Sequence, residues 1–272
     1  MSLLAHSPKD EARVFAMMIA AYNDESGDKR TFAVSGLIGI LPEFVELERL
    51  WTLKLEEHCL PEFHAAKCEA RLEPFNAYER EQRDLFQRDF CGLIAARKIW
   101  GFCTAIWQAA YQERWGEFEV HRVVSAGDFT HPYFLAFQHQ IEWLCKQVDN
   151  GGFAHNEPIA FVFDQQKEFE GRAKVLYDAL LQASGIDYKH RLGNISFDSR
   201  FCQISLQAAD VWAYESRKYV SDVLINKHPS GARWQFEIFG KTKRFGIRGF
   251  PPEQLDELNL LMKNKTADSN IS

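Results

Sequence analysis

Three aspartates stand where a chain can gather carboxylates from distant parts of its sequence. Asp24 lies in NDESGD (23–28), directly after the apolar run VFAMMIAAY, and Asp164 closes the apolar run PIAFVFD (158–164). Asp210 lies in CQISLQAADVWAYESRKYV (202–220), whose spacing predicts a helix. Gln203, Leu206, Gln207, Ala213, Tyr214 and Arg217 share the face of Asp210 there, so it sits on the half-apolar side beside amides. Each acid has an ordinary use as well: Asp24 could open a turn, Asp164 could cap a helix, and Asp210 could be a solvated helix acid. Taken together they point to chemistry. Side chains converge where strands of an open α/β sheet reach their carboxyl ends, and two of the three acids end strands. Glu25 either joins them or, by the alternation of a strand, turns to the opposite face. Carboxylate oxygens suit one or two Mg²⁺ or Mn²⁺ ions, which activate water and neutralise a phosphodiester undergoing in-line displacement.

The elements that must position these acids are legible from periodicity. Residues 14–22 and 31–41 read as a hairpin of central strands joined by a Gly-containing polar turn. Helices are expected over 42–59 and 77–97, a third strand over 98–107, and a helix over 131–148. Strand 158–164, helix 169–184, strand 194–197 and helix 202–220 follow, giving the order β-β-(helical insertion)-β-α-β-α-β-α. No linker or repeat divides the chain, so 1–272 reads as one domain. Its core spans about 14–220, with an insertion over 42–97, a basic extension over 221–260 and a disordered tail over 261–272.

Composition sets outer limits. The 272 residues are 46% hydrophobic, ample for a packed core, and no apolar stretch approaches the length of a membrane span. Lys9, Asp10, Glu11 and Arg13 interrupt the N-terminal region where a secretory signal would be apolar, so a cytoplasmic location is expected. Six scattered cysteines without CxxC spacing read as reduced and mostly buried, with neither zinc nor disulfides. The net charge of −6 is uneven: Arg217 to Phe250 holds eight Lys/Arg against Asp222 and Glu237, leaving 24 basic and 36 acidic residues elsewhere. Within that segment GKTKRFGIRGF interleaves Lys241, Lys243, Arg244 and Arg248 with Phe245 and Phe250. As a nucleic-acid strip it would set cations on phosphates and rings on bases; otherwise it is a solvated loop with two core anchors.

Several enzyme classes are excluded. GKT at 240–242 lacks the glycine of a phosphate loop, since Gln235 stands there, and Ser26 stands where a haloacid dehalogenase-type phosphatase needs its second aspartate. No GxSxG, HExxH or GxGxxG occurs.

NDESG, FVFD and SLQAADVWAYESRK together resemble the domain-of-unknown-function family 3800, whose members show a DESG start and an LQxAD helix. The resemblance spans about 14–220. It implies a ribonuclease H-like fold, a mixed sheet flanked by helices, and metal-binding roles for Asp24, Asp164 and Asp210. PEFHAAK (61–67) looks like that family's Glu/His segment, which would bring Glu62, His64 and Lys67 to the cleft, although His64 also reads as an ordinary histidine. Glu142 is the acid available in the helix after the third strand. The expected function is a divalent-metal-dependent nuclease acting on RNA or DNA, with Asp24, Asp164, Asp210, Glu25, Glu62 and His64 as catalytic candidates. The alternatives are a non-cleaving nucleic-acid- or partner-binding module of the same fold and another metal-dependent phosphohydrolase.

Overall fold

Ile19–Gly27 (β1) and Thr31–Ile40 (β2) pair antiparallel, Ile19 against Ile40 and Gly27 against Phe32. The turn between them is made by Asp28, whose Oδ1 accepts from the backbone N–H of Arg30 at 2.8 Å and of Thr31 at 2.9 Å. β1 therefore does not stop at Tyr22, as its apolar run suggested, but carries NDESG as strand, with Asp24 paired to Ser35 inside the ladder. The structure, a computed structural model, describes residues 18–115, 131–152, 157–227 and 231–269, so the expected first residues of this strand, 14–17, lie outside it.

The helical insertion follows, as α1 (Leu41–Glu57), α2 (Ala65–Ala70) and α3 (Arg80–Ala96). β3 (Trp100–Trp107), α5 (Pro132–Gln147), β4 (Ile159–Asp164), α6 (Glu170–Gln182), β5 (Leu192–Asp198) and α7 (Ile204–Tyr219) complete the expected order, with one unexpected helix, α4 (Gln108–Trp115), after β3. Then come α8 (Trp234–Gly240), β6 (Phe245–Phe250) and α9 (Pro252–Ser269). The strands lie in the order β5-β4-β1-β2-β3-β6, and among the described strands β2 alone runs against the rest. This mixed six-stranded sheet, flanked by helices and with its helical insertion between β2 and β3, has the architecture that the ribonuclease H-like expectation described.

Two expectations are corrected at the C-terminal end. The basic extension supplies a sixth strand, because FGIRGF pairs parallel with β3 from Gly101↔Phe245 to Ile106↔Phe250. The tail from 261, polar enough to read as disordered, continues the helix α9 to Ser269.

Strand alternation sorts side chains onto two cores. Ile19, Ala21, Val34, Ile38, Phe102 and Ile106 pack with α5 and α6 on one face. Ala20, Tyr22, Ala33, Leu37, Cys103 and Ala105 pack on the other with α1, α3 and α7. The central helix α7 is buried from Ser205 through Arg217, because α1, α3 and α8 cover the side that the sheet leaves open. Gly36 is needed in β2: a Cβ there would stand 2.1 Å from Asn23 Oδ1, and Asn23 is the residue that precedes Asp24.

Candidate active site

β1, β4 and α7 deliver Asp24, Asp164 and Asp210 to one edge of the sheet. β1 and β4 run parallel with Asn23 opposite Phe163, so Asp24 and Asp164 follow in register, and both alternate onto the α7 face. Their exposures are 1%, 6% and 5% for Asp24, Asp164 and Asp210, which makes the last a buried helix acid and not a half-solvated one.

α7 is pinned to the hairpin beyond them. Arg217 donates from Nε to Ser26 Oγ at 2.9 Å and pairs with Asp28, while Ser216 Oγ meets Ser35 Oγ at 3.0 Å. The helix that carries Asp210 is thereby fixed against the strand that carries Asp24.

Arg200, in the loop between β5 and α7, joins the three acids. Its Nη2 lies 2.5 Å from Asp164 Oδ2 and 3.4 Å from Asp24 Oδ2, and its Nη1 lies 3.3 Å from Asp210 Oδ1. Burial alone would lower the guanidinium's pKa, but the three aspartates outweigh it and hold it above its ordinary value. Residue spacing gave no sign of Arg200. The available signal was weak, a lone cation in SFDSRFCQ just ahead of the LQAAD helix.

One guanidinium does not balance these carboxylates. Burial, then the charge of Glu25, pushes Asp24 well above the usual carboxylate range, with Arg200 opposing. Burial and then Asp164 lift Glu25 to about 8. Glu25 alternates onto the α5 face, as its place next to Asp24 allows, yet its half-buried carboxylate still shares the field of the cluster. Asp210 behaves otherwise. Burial raises it too, but His64, Arg200 and a backbone N–H together hold it below its ordinary value.

The PEFHAAK segment runs along α7. Phe63 N donates to Gln207 Oε1 at 3.0 Å, Ala65 N donates to Asp210 Oδ2 at 2.9 Å, and His64 Nδ1 lies 3.0 Å from the same oxygen. His64 is therefore brought to the acids. Glu62 is buried with Lys67 Nζ 2.8 Å from Oε1, and its other oxygen has no hydrogen-bond donor among the described residues. Gln207, one turn before Asp210, also accepts from Trp51 Nε1 at 3.0 Å and donates to Arg200 O at 3.1 Å. It ties α1, the Glu/His segment and the Arg200 loop to one amide.

Other candidates lie elsewhere. Glu142 stands on α5 between His139 and Lys146, which hold its carboxyl down at about 2. Arg248 pairs in register with Thr104, and through Val34 with Glu25, so it is level with the acids but three strands away, about 14 Å. Its guanidinium lies over the Phe250 ring. Arg244 donates from Nη2 to Ala95 O at 2.6 Å, and exposed Lys241 and Lys243 lie before β6, towards the end of the sheet where β1 starts. Among the described residues the group whose ligand atoms all lie within 4.8 Å of one another is Glu57, His58 and Asp89, not the three aspartates around Arg200. Lys54 already supplies its positive charge, 2.8 Å from Glu57 and 3.2 Å from Asp89.

The principal cluster fits a hard divalent cation. Its donors are oxygens and its carboxylates outnumber the single guanidinium, the donor chemistry such an ion prefers. Among the described residues no helix is long and apolar enough to cross a membrane.

No family model and no curated protein matches the chain. Among solved structures the chain is similar to Bst-RNase HIII, crystallised in complex with Mn²⁺, at 13% sequence identity and a TM-score of 0.37. The match covers 82% of this chain and 61% of that one, so the chain spans less than two thirds of that protein's length.

Proposed function

We propose that this chain is a divalent-metal-dependent phosphodiesterase acting on nucleic acid, and that the motifs it shares with family 3800 reflect membership of that family. The observation that carries this reading is the convergence of Asp24, Asp164 and Asp210, from two strands and a helix, within reach of one guanidinium. Asp24, Asp164 and Asp210 would hold Mg²⁺ or Mn²⁺, which supplies an activated water and charge neutralisation at the phosphodiester. The protein's part is to fix those oxygens through the β1–β4 register and the Arg217 anchor, and to exclude bulk water by burial. His64, beside Asp210, orients that carboxylate and is placed to pass a proton at the cleft.

A second reading has its own support. Arg200 already sits among the acids, as a permanent counter-ion would in a nucleic-acid-binding module that does not cleave. One experiment separates the two. End-labelled RNA, single- and double-stranded DNA and an RNA/DNA hybrid are incubated with the protein in Mn²⁺ or Mg²⁺, alongside EDTA and Asp24→Asn controls. The nuclease reading expects cleavage that both controls abolish, with a loss of at least about 100-fold for the variant. Folded protein that binds these substrates and cuts none of them leaves the binding module.

A further inference from the structure

Phe201 is 73% exposed, more than any other large apolar side chain among the described residues, and it adjoins Arg200 in sequence. Its loop is held firmly. Cys202 N and Gln203 N both donate to Ser199 O at 2.9 Å, Phe201 N donates to Ser199 Oγ at 3.1 Å, and Gln207 holds Arg200 O. An exposed ring on a well-bonded backbone is presented to something.

The ring borders a cavity of about 530 Å³ between this loop and the end of α1, walled by Leu55, Leu60 and Ile204, with Glu56 and Gln207 at its polar margin. We infer that Phe201 and this cavity receive an unpaired nucleobase of the substrate whose phosphate lies at the acids. The inference rests on the nuclease reading and names the substrate form: single-stranded or locally opened nucleic acid.

Three features favour a base over another occupant. Phe201 directly follows the arginine bonded to Asp24, Asp164 and Asp210, so the loop that presents the ring is the loop that reaches the acids. The cavity pairs apolar walls with the Glu56 carboxylate, an acceptor for amino groups on the rim of a flat heterocycle. In a duplex both faces of each base are already stacked, so a ring fixed on this loop has no face to take unless the base is free.

The test uses Asp24→Asn protein, so that substrate survives, with fluorescein-labelled single-stranded and duplex oligonucleotides of one sequence in Mg²⁺. Single strands are expected to bind more tightly than the duplex. Phe201→Ala should weaken single-strand binding about tenfold with little change for the duplex, and Phe201→Trp should keep it. A 2-aminopurine beside the bound phosphate should lose fluorescence with Phe201 and regain it with Phe201→Ala. Unchanged single-strand affinity in Phe201→Ala overturns the inference while leaving the nuclease reading intact, and absence of binding to any oligonucleotide overturns both. Self-association that disappears in Phe201→Ala by sedimentation velocity, with oligonucleotide affinity unaltered, gives the ring to a second copy of the chain and also overturns the inference.

Discussion

Arg200 Nη2 stands 2.5 Å from Asp164 Oδ2, so an arginine side chain now holds the oxygens that a divalent ion would use. On the proposed metal-dependent reading, arginine and metal would compete for them. Arg200→Gln is expected to bind Mn²⁺ more tightly than the unaltered protein by titration calorimetry. The same variant, without metal, should lose about 3 kcal/mol of stability, because removing one partner leaves buried charge uncompensated. Mn²⁺ should then raise its melting temperature more than it raises that of the parent. Equal Mn²⁺ affinity in the two proteins would show that arginine and cation do not share the site.

Gln207 serves three neighbours, Trp51, Phe63 and Arg200, through one side chain. Gln207→Ala strands two buried N–H donors and should cost about 2–4 kcal/mol in urea unfolding. Gln207→Glu keeps the acceptor oxygens and loses the bond to Arg200 O. It is expected to retain most of the stability while lowering cleavage, which separates support of the fold from support of the loop.

Glu215 is buried in α7, 3.5 Å from Arg233, and burial raises its pKa from 4.5 to about 7. The folded protein therefore holds this proton more tightly than the unfolded chain. The resulting stability is fully present below pH 4.5, declines as pH rises to about 7, and changes no further above it. The span is worth about 3 kcal/mol. Glu215→Gln should remove that slope, so the variant gains on the parent at pH 8 and not at pH 4.5 in denaturant titrations. A parallel pH profile for the two proteins would refute the assignment.

Lys241 and Lys243 lie across the sheet from the acids, so only a long strand touches both regions. The double change to alanine should weaken binding of long oligonucleotides and flatten its dependence on salt, leaving short ones unaffected. Equal salt slopes for parent and variant on long strands would release the strip from any part in binding.

Much of the site was readable because its acids sit on elements whose periodicity is strong. The apolar runs before Asp24 and Asp164 belong to parallel neighbours, and strand registry alone brings the two acids together. Asp210 follows from a helix whose apolar periodicity runs through Leu206, Val211, Trp212 and Tyr214. Arg200 and Phe201 were not readable, since a loop residue's partners depend on tertiary placement that no local pattern encodes. The end of β1 was misjudged because polar NDESG looks like a turn, yet its ladder partners in β2 keep it extended. β6 was missed for a related reason: FGIRGF has two glycines and an arginine, and only the uncovered edge of β3 makes it a strand.

That late strand has a consequence for how the molecule is made. Gly101 has no side chain, and a Cβ there would stand 2.2 Å from the Phe245 ring, which also packs edge-on to Trp212. β3 is synthesised some 140 residues before the segment that covers it. During translation the hydrogen-bonding edge of β3 and one flank of Trp212 stay open until Phe250 has left the ribosome. The interval in which a nascent chain can pair wrongly with another is thus set by the distance along the sequence between β3 and β6, and not by the order in which the acids assemble.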